Sequence, residues 1–227
     1  MTQSEVDGLV GLVGGSIVSQ LLARGELLES IRMLDIREGL WHLKENETFT
    51  KCQFIKTNIA SLDSTITAFK APWPPSVASS PLTVFHTAVV IRPMERSLLV
   101  YERCSKVNVD GTTNIITAAK EVGADILIAT SSGSISIQPV NLWVAPWTKW
   151  PKHFFQLYDE SDAYGPERPH NNFFSNYAAS KAVMERMVMK ENSPNLKTGC
   201  IRPASGVYGN ELDHNVAVYI PRNFLPT

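Results

Sequence analysis

The chain has 227 residues, 44 % apolar and 19 % charged, with a net charge of -1, enough for one buried core and no electrostatic case for nucleic acid. No run of 18 apolar residues predicts a spanning helix, and the N-terminus lacks the basic-then-apolar pattern of a secretory leader. Cys52, Cys104 and Cys200 are far apart and include no C-x-x-C pair, which reads as reduced thiols in a cytoplasmic protein.

Residues 4–18, SEVDGLVGLVGGSIV, place glycines at 8, 11 and 14. A helical pattern of Ile17, Val18, Leu21 and Leu22 follows, and Gly25 ends it. Ahead of the glycines only SEV reads as strand. Glu5 in a central strand is costly unless that strand is shortened or its end solvated, so an eroded first strand is expected. IRMLD (31–35) is a second strand ending in an acid, and QFIKT (53–57) is a weaker third. APWPPSVASSP (71–81) is a rigid loop that cannot be helix interior. LTVFHTA (82–88) is strand-like, and residues 97–122 form a long helix with Leu98, Tyr101, Val107, Ile115, Ile116 and Ala119 on its apolar face.

ADILIATSS (124–132) is the clearest strand, because its near-continuous apolar run suits a strand covered on both faces. Residues 177–191 are helical again, and TGCIRP (198–203) closes the series. Strands alternating with helix-length patterns predict a single α/β domain over 1–227, a Rossmann-type three-layer sandwich on a mostly parallel sheet. The insertion 134–176 is too long for an ordinary connection and carries Trp143, Trp147, Trp150, Phe154, Phe155, Tyr158, Phe173 and Phe174. It either packs back on the domain, borders a large apolar ligand pocket, or meets a membrane surface or a subunit.

Glycines at i, i+3 and i+6 between a strand and a helix let a pyrophosphate approach the helix N-terminus. Asp35, at the end of the second strand, can accept hydrogen bonds from an adenosine ribose. Arg37 keeps a ribose phosphate in play, so NAD is favoured and NADP stays open. A purely structural turn is the competing reading. NYAASK (176–181) puts Tyr177 and Lys181 four apart on one helix face, where an ammonium can lower the phenol's pKa and let it exchange protons. Ser132 can donate to the same substrate oxygen. The competing reading is a helix-surface tyrosine with an unrelated lysine. His86 taken alone reads as a core-edge histidine satisfied by backbone.

Seven motifs run in order: GLVGLVG (8–14), RMLDIR (32–37), TVFHTAVVIRP (83–93), KVNVDGTTNII (106–116), LIATSSGSISI (127–137), NYAASKA (176–182) and IRPASGVYGN (201–210). Through them almost the whole chain resembles the extended (atypical) short-chain dehydrogenase/reductases, and within them the 3-beta-hydroxysteroid dehydrogenase/isomerase-like group, especially its fungal members. The resemblance implies Ser132, Tyr177 and Lys181 as the catalytic triad. It implies cofactor contacts from Gly8, Gly11, Leu12, Val13, Gly14, Asp35 and Arg37. Asn58, Ile59, His86, Thr87 and Ala88 would line the adenosine and pyrophosphate. Asn108 would anchor the supporting helix, Tyr177 and Lys181 would face the nicotinamide ribose, and Pro203 with the Ala204–Gly206 turn would border the ring. Leu9 replaces a usual second glycine, and Asn58 a usual acid. Relatives continue well beyond RNFLPT (222–227), which implies a largely missing substrate domain and an uncovered edge that a homodimer or another protein would hide.

Three functions follow. The first is NAD(P)-dependent hydride exchange with a bulky apolar secondary alcohol or ketone, steroid-like or secondary-metabolite-like. The second is a non-redox isomerase, dehydratase or cyclase on the same scaffold. The third is a non-catalytic cofactor-binding or interaction protein. The five histidines form no H-E-x-x-H and no carboxylate pair sits with them at ligand spacing, so no metal site is predicted. No G-x-S-x-G elbow is present either. The expected location is cytoplasmic, with membrane-surface association open.

Overall fold

The computed structural model describes residues 2–8, 11–37, 51–144, 146–159 and 165–204. Leu9, the Gly206 side of the last motif and RNFLPT lie outside them. Six strands, β1 (Gln3–Asp7), β2 (Ile31–Asp35), β3 (Gln53–Lys56), β4 (Leu82–His86), β5 (Ile126–Thr130) and β6 (Lys197–Ile201), form one sheet. Their order is β3-β2-β1-β4-β5-β6, and every pairing is parallel. α1 (Leu12–Ala23) packs on one face through Val18 against Val6, Ile31 and Met33. α2 (Leu62–Phe69), α4 (Gly111–Glu121) and α5 (Asn176–Lys190) cover the other, around Leu34, Phe69, Ile115, Leu127 and Met184. The result is the three-layer Rossmann-type sandwich.

The first strand is not eroded. All five residues of β1 are buried at the centre of the sheet. The side chains of Gln3, Glu5 and Asp7 there face protein groups. Gln3 Nε2 donates to Val77 O at 2.8 Å, which also fastens the Pro-rich loop. Glu5 stands in register with Arg32 of β2, with Arg32 Nη1 3.8 Å from Glu5 Oε2. Burial pushes the Glu5 carboxyl up to about 8, against the opposing pull of Arg32, so at neutral pH it is largely an uncharged acid. That removes most of the penalty that argued for a shortened strand. Arg32 in turn donates to Gln53 Oε1 and to the carbonyls of Ala68, Phe69, Ala71 and Pro72, and its guanidinium lies 3.9 Å from the Trp73 ring centroid.

Two helical features depart from the pattern read along the chain. α2 was not anticipated: it is short, and three of its eight residues are Ser or Thr. Ser61 caps it by accepting from Ser64 N–H. The helix expected over 97–122 is a 3-10 turn (Leu98–Val100), α3 (Glu102–Ser105), a π segment (Lys106–Asp110) and then α4. The π segment carries Asn108, and a wider turn of this kind re-aims a side chain within a continuous helix.

Candidate active site

The β1–α1 turn is built for close approach. Gly8 has φ +69°, and a Cβ there would stand 2.6 Å from Ala88 N and 2.8 Å from Thr87 Oγ1. A side chain would therefore push apart the two segments that floor the site. Gly11 is the N-cap of α1, with no side-chain cap and no acid in the first turn. The leading N–H groups of Leu12 and Val13, and the helix dipole, are left for an anion. Gly14 is buried within α1.

Asp35 ends β2, is nearly buried, and accepts the Arg37 N–H at 3.0 Å, while the Arg37 side chain is exposed. Asn58 is exposed and its Oδ1 accepts from Ala60 N–H at 3.1 Å. Ile59 is a packing residue. Its side chain fills the space that Gly111 leaves on α4, and its carbonyl accepts from Asn114 Nδ2 at 2.7 Å.

The residue that sequence reasoning missed is Asp7. It ends β1 beneath the glycine turn, and its Oδ1 accepts from Thr87 N–H at 2.5 Å and Ala88 N–H at 2.6 Å. Its carbonyl accepts the Thr87 hydroxyl. Its Oδ2 lies 2.5 Å from His86 Nδ1. His86 is thus held by side chains, not by backbone as its local reading suggested. On the far side, His86 Nε2 meets Thr112 Oγ1 at 2.8 Å. That hydroxyl donates its own proton to Asn108 O at 2.7 Å. The signal available in the sequence was an acid immediately before the first glycine.

From Asn108 the network reaches α5. Its amide accepts from Val90 N–H, donates to Val90 O and donates to Ser180 Oγ at 2.9 Å. Ser180 Oγ donates to Tyr177 O at 2.8 Å. The glycine turn, the HTA segment, the π segment and α5 are therefore joined by one chain of hydrogen bonds.

Ser132 opens the turn after β5 and accepts from Ser134 N–H at 3.2 Å. Its hydroxyl faces the Tyr177 phenol and pulls the phenol's pKa down. Lys181 is buried and donates to Thr130 O at 2.7 Å. Burial lowers Lys181 to about 8, while Asp7, Cys200 and Glu185 pull the other way. Burial raises Tyr177 above its usual value, with Ser132 only partly offsetting it. In the protein by itself desolvation is the largest influence on this phenol. Pro203 O accepts Gly133 N–H at 2.8 Å and pins the chain leaving β6 onto the Ser132 turn. Beside Ser132, the buried hydroxyls of Ser131 and Ser134 have no hydrogen-bond partner.

Among the described residues, no group of three His, Cys, Asp or Glu could hold a metal. No helix there is long and apolar enough to cross a membrane. Residues 5–222 match the 3-beta hydroxysteroid dehydrogenase/isomerase family. The chain belongs to that family.

Within the 3-beta hydroxysteroid dehydrogenase/isomerase family, the chain is 33 % identical over 174 residues to 3beta-hydroxysteroid-dehydrogenase/decarboxylase isoform 2 of Arabidopsis thaliana, covering 76 % of this chain and 26 % of the relative. It is 29 % identical over 199 residues to the decarboxylating sterol-4-alpha-carboxylate 3-dehydrogenase of Schizosaccharomyces pombe, covering 88 % and 48 %. It is 27 % identical to human 3 beta-hydroxysteroid dehydrogenase type 7, covering 90 % and 50 %. The chain thus spans from a quarter to half the length of these relatives. Among solved structures, the NAD complex of Thermus thermophilus UDP-glucose 4-epimerase superposes with a TM-score of 0.58 at 23 % identity, covering 88 % of this chain and 54 % of that one. An NAD-bound short-chain dehydrogenase/reductase superfamily protein from Agrobacterium tumefaciens also gives 0.58, at 18 % identity, covering 88 % and 48 %. These two share the fold of this family member.

Proposed function

We propose that the chain is an NAD(P)-dependent enzyme of the short-chain dehydrogenase/reductase type that exchanges a hydride and a proton with a bulky apolar secondary alcohol or ketone. The observation that carries this is the convergence of Ser132, Tyr177 and Lys181 at the exit of β5, hydrogen-bonded through Asn108 and His86 to the glycine turn. The residues fit a dinucleotide. The N-terminus of α1 is uncapped, Asp35 stands where a ribose would be held, and the unpartnered Ser131 and Ser134 hydroxyls lie beside Ser132. NAD is favoured because the Asp35 carboxylate repels a ribose phosphate. When bound, the nicotinamide supplies or takes the hydride.

The chain's own groups handle the proton. Ser132 Oγ orients the substrate oxygen, and Tyr177 Oη gives a proton to it or takes one from it. Lys181, one helical turn on, supplies the positive charge that favours the phenolate. The substrate class rests on relatives whose names specify hydroxysteroids and sterol carboxylates.

A second reading is favoured by the shared fold with enzymes named as a UDP-glucose 4-epimerase and an NDP-hexosamine 5,6-dehydratase. With a bound nicotinamide to take and return the hydride, the same triad would move the proton in a net isomerisation or dehydratase reaction with no net redox change. One experiment tests the family of readings: NADH titration, and turnover against a panel of hydroxysteroids and bulky ketones. NADH binding with Tyr177-dependent turnover supports them, absorbance change separates net redox from net isomerisation, and no binding of either nicotinamide cofactor overturns both.

A further inference from the structure

Lys181 and Glu185 lie four residues apart on α5 and both are buried, so two ionisable groups share one face within one helical turn. Lys181 Nζ is held by Thr130 O. Glu185 is held by Arg202, just past β6. Arg202 Nε lies 3.1 Å from Glu185 Oε1 and 3.0 Å from Oε2, and Nη2 lies 2.6 Å from Oε1. The guanidinium thus engages both carboxylate oxygens, a geometry that fixes direction as well as distance.

The backbone on either side of Arg202 sets its place. Ile201 O accepts Ser131 N–H at 2.7 Å, and Pro203 O accepts Gly133 N–H at 2.8 Å. Those two N–H groups flank Ser132, so the parallel pairing of β5 with β6 runs on into the Ser132 turn. Between them, the Arg202 side chain reaches Glu185 on α5, and its Nη1 lies 3.5 Å from Ser136 Oγ at the end of that turn.

We propose that Glu185 and Arg202 are positioning residues of the site. Their ion pair locks the Ser132 turn and the Lys181 turn of α5 into one frame, and it sets a carboxylate charge one helical turn from the Lys181 ammonium. The consequence for turnover rests on the triad reading above; the frame and the charge do not. A buried ion pair adds little net stability over apolar residues of the same volume, because desolvation offsets the attraction. What this pair supplies is placement. Ser132 comes from the end of β5 and Lys181 from α5, and Arg202 touches the segments that carry both. Charge is the second contribution. Asp7 from β1, Cys200 from β6 and Glu185 from α5 all pull Lys181 up against burial.

The test reads the ammonium directly. Lysine labelled with carbon-13 at Cε gives the Lys181 titration by NMR, assigned through the signal missing from Lys181→Met, and turnover on the hydroxysteroid and ketone panel is measured beside it. Glu185→Gln keeps the shape and an acceptor for Arg202 but loses the charge. It should lower the Lys181 midpoint by roughly half a pH unit, a smaller shift than Asp7→Asn produces, because Asp7 exerts the stronger pull. Glu185→Met/Arg202→Met removes the pair without stranding a buried charge, so it should keep the parent melting temperature within a few degrees. It should show the same downward shift and lose about tenfold or more in kcat, with NADH affinity held within about threefold. A Lys181 midpoint that neither variant moves overturns the inference. So does parent kcat in the double variant, which would make the pair a structural tie alone. Shifted midpoints in a parent that turns over nothing on the panel support the pair and remove the proposed reaction instead.

Discussion

The middle of the sheet and the segment after β5 invert the usual arrangement of a soluble domain. Glu5, Asp7, Arg32, His86 and Lys181 are buried, while Leu142, Trp143, Trp147 and Phe155 are exposed. What separates the buried charges from a folding defect is directional pairing. Asp7 meets two backbone N–H groups and an imidazole, Lys181 meets a carbonyl, and Arg32 meets four carbonyls and an amide. Glu5 is the exception, since neither carboxylate oxygen has a hydrogen-bond partner. Desolvation therefore shifts its protonation. The segment after β5 has the opposite problem, apolar side chains that no described residue covers. One region is constrained by polar satisfaction, and the other exposes apolar surface among the described residues.

The largest effect belongs to the polar region. Tyr177→Phe is expected to lower turnover by roughly 10²–10⁴ while leaving NADH affinity nearly unchanged, the usual worth of one positioned proton-transfer group. Equal turnover of parent and variant would remove Tyr177 from the chemistry.

Stability should distinguish Glu5 from its neighbours. Its folded pKa of about 8 lies above the unfolded value near 4.5. The stabilisation that Glu5 provides as an acid is thus fully present below pH 4.5 and is lost as pH rises through 8. Glu5→Gln carries no ionisation, so it should match the parent near pH 4 and exceed it at alkaline pH by on the order of 3–5 kcal/mol. Urea melts across that range check the sign; a parent that gains stability over Glu5→Gln with rising pH contradicts it. Arg32→Met breaks the pairing from the other side, leaving four carbonyls without their donor, and should cost about 3 kcal/mol or more in the same melts.

Asp7→Asn sharpens the site further. The amide keeps an acceptor for the Thr87 and Ala88 N–H groups but removes the charge that helps keep Lys181 protonated. Lys181 should titrate below its parent value of about 8, and the alkaline limb of kcat/KM should move to lower pH. A pH profile unchanged in its limb would make Asp7 purely structural. The smallest effect is expected outside: Trp147→Ser removes exposed surface only and should change stability by less than about 0.5 kcal/mol in denaturant melts.

By itself the sequence determined the fold class, the order of the strands along the chain, the glycine turn and the Tyr177–Lys181 spacing. These are local signals: an apolar run such as ILIA, a positive-φ glycine and a four-residue helical repeat each announce themselves within a few residues. β1 and α2 were harder, because Glu5 and the hydroxyl-rich LDSTITAF contradict the local rules for a central strand and a helix. Only the tertiary structure supplies their solutions, an Arg32 in register across the sheet and the Ser61 cap with a buried Phe69. The same holds for Asp7, whose partners at 86, 87 and 88 lie some 80 residues away, and for the protonation of Tyr177, set by burial in competition with Ser132. Composition reveals which groups are present. Whether a charge is paired, a phenol desolvated or a tryptophan left in water depends on distances between residues remote in sequence, and only the packed chain decides those.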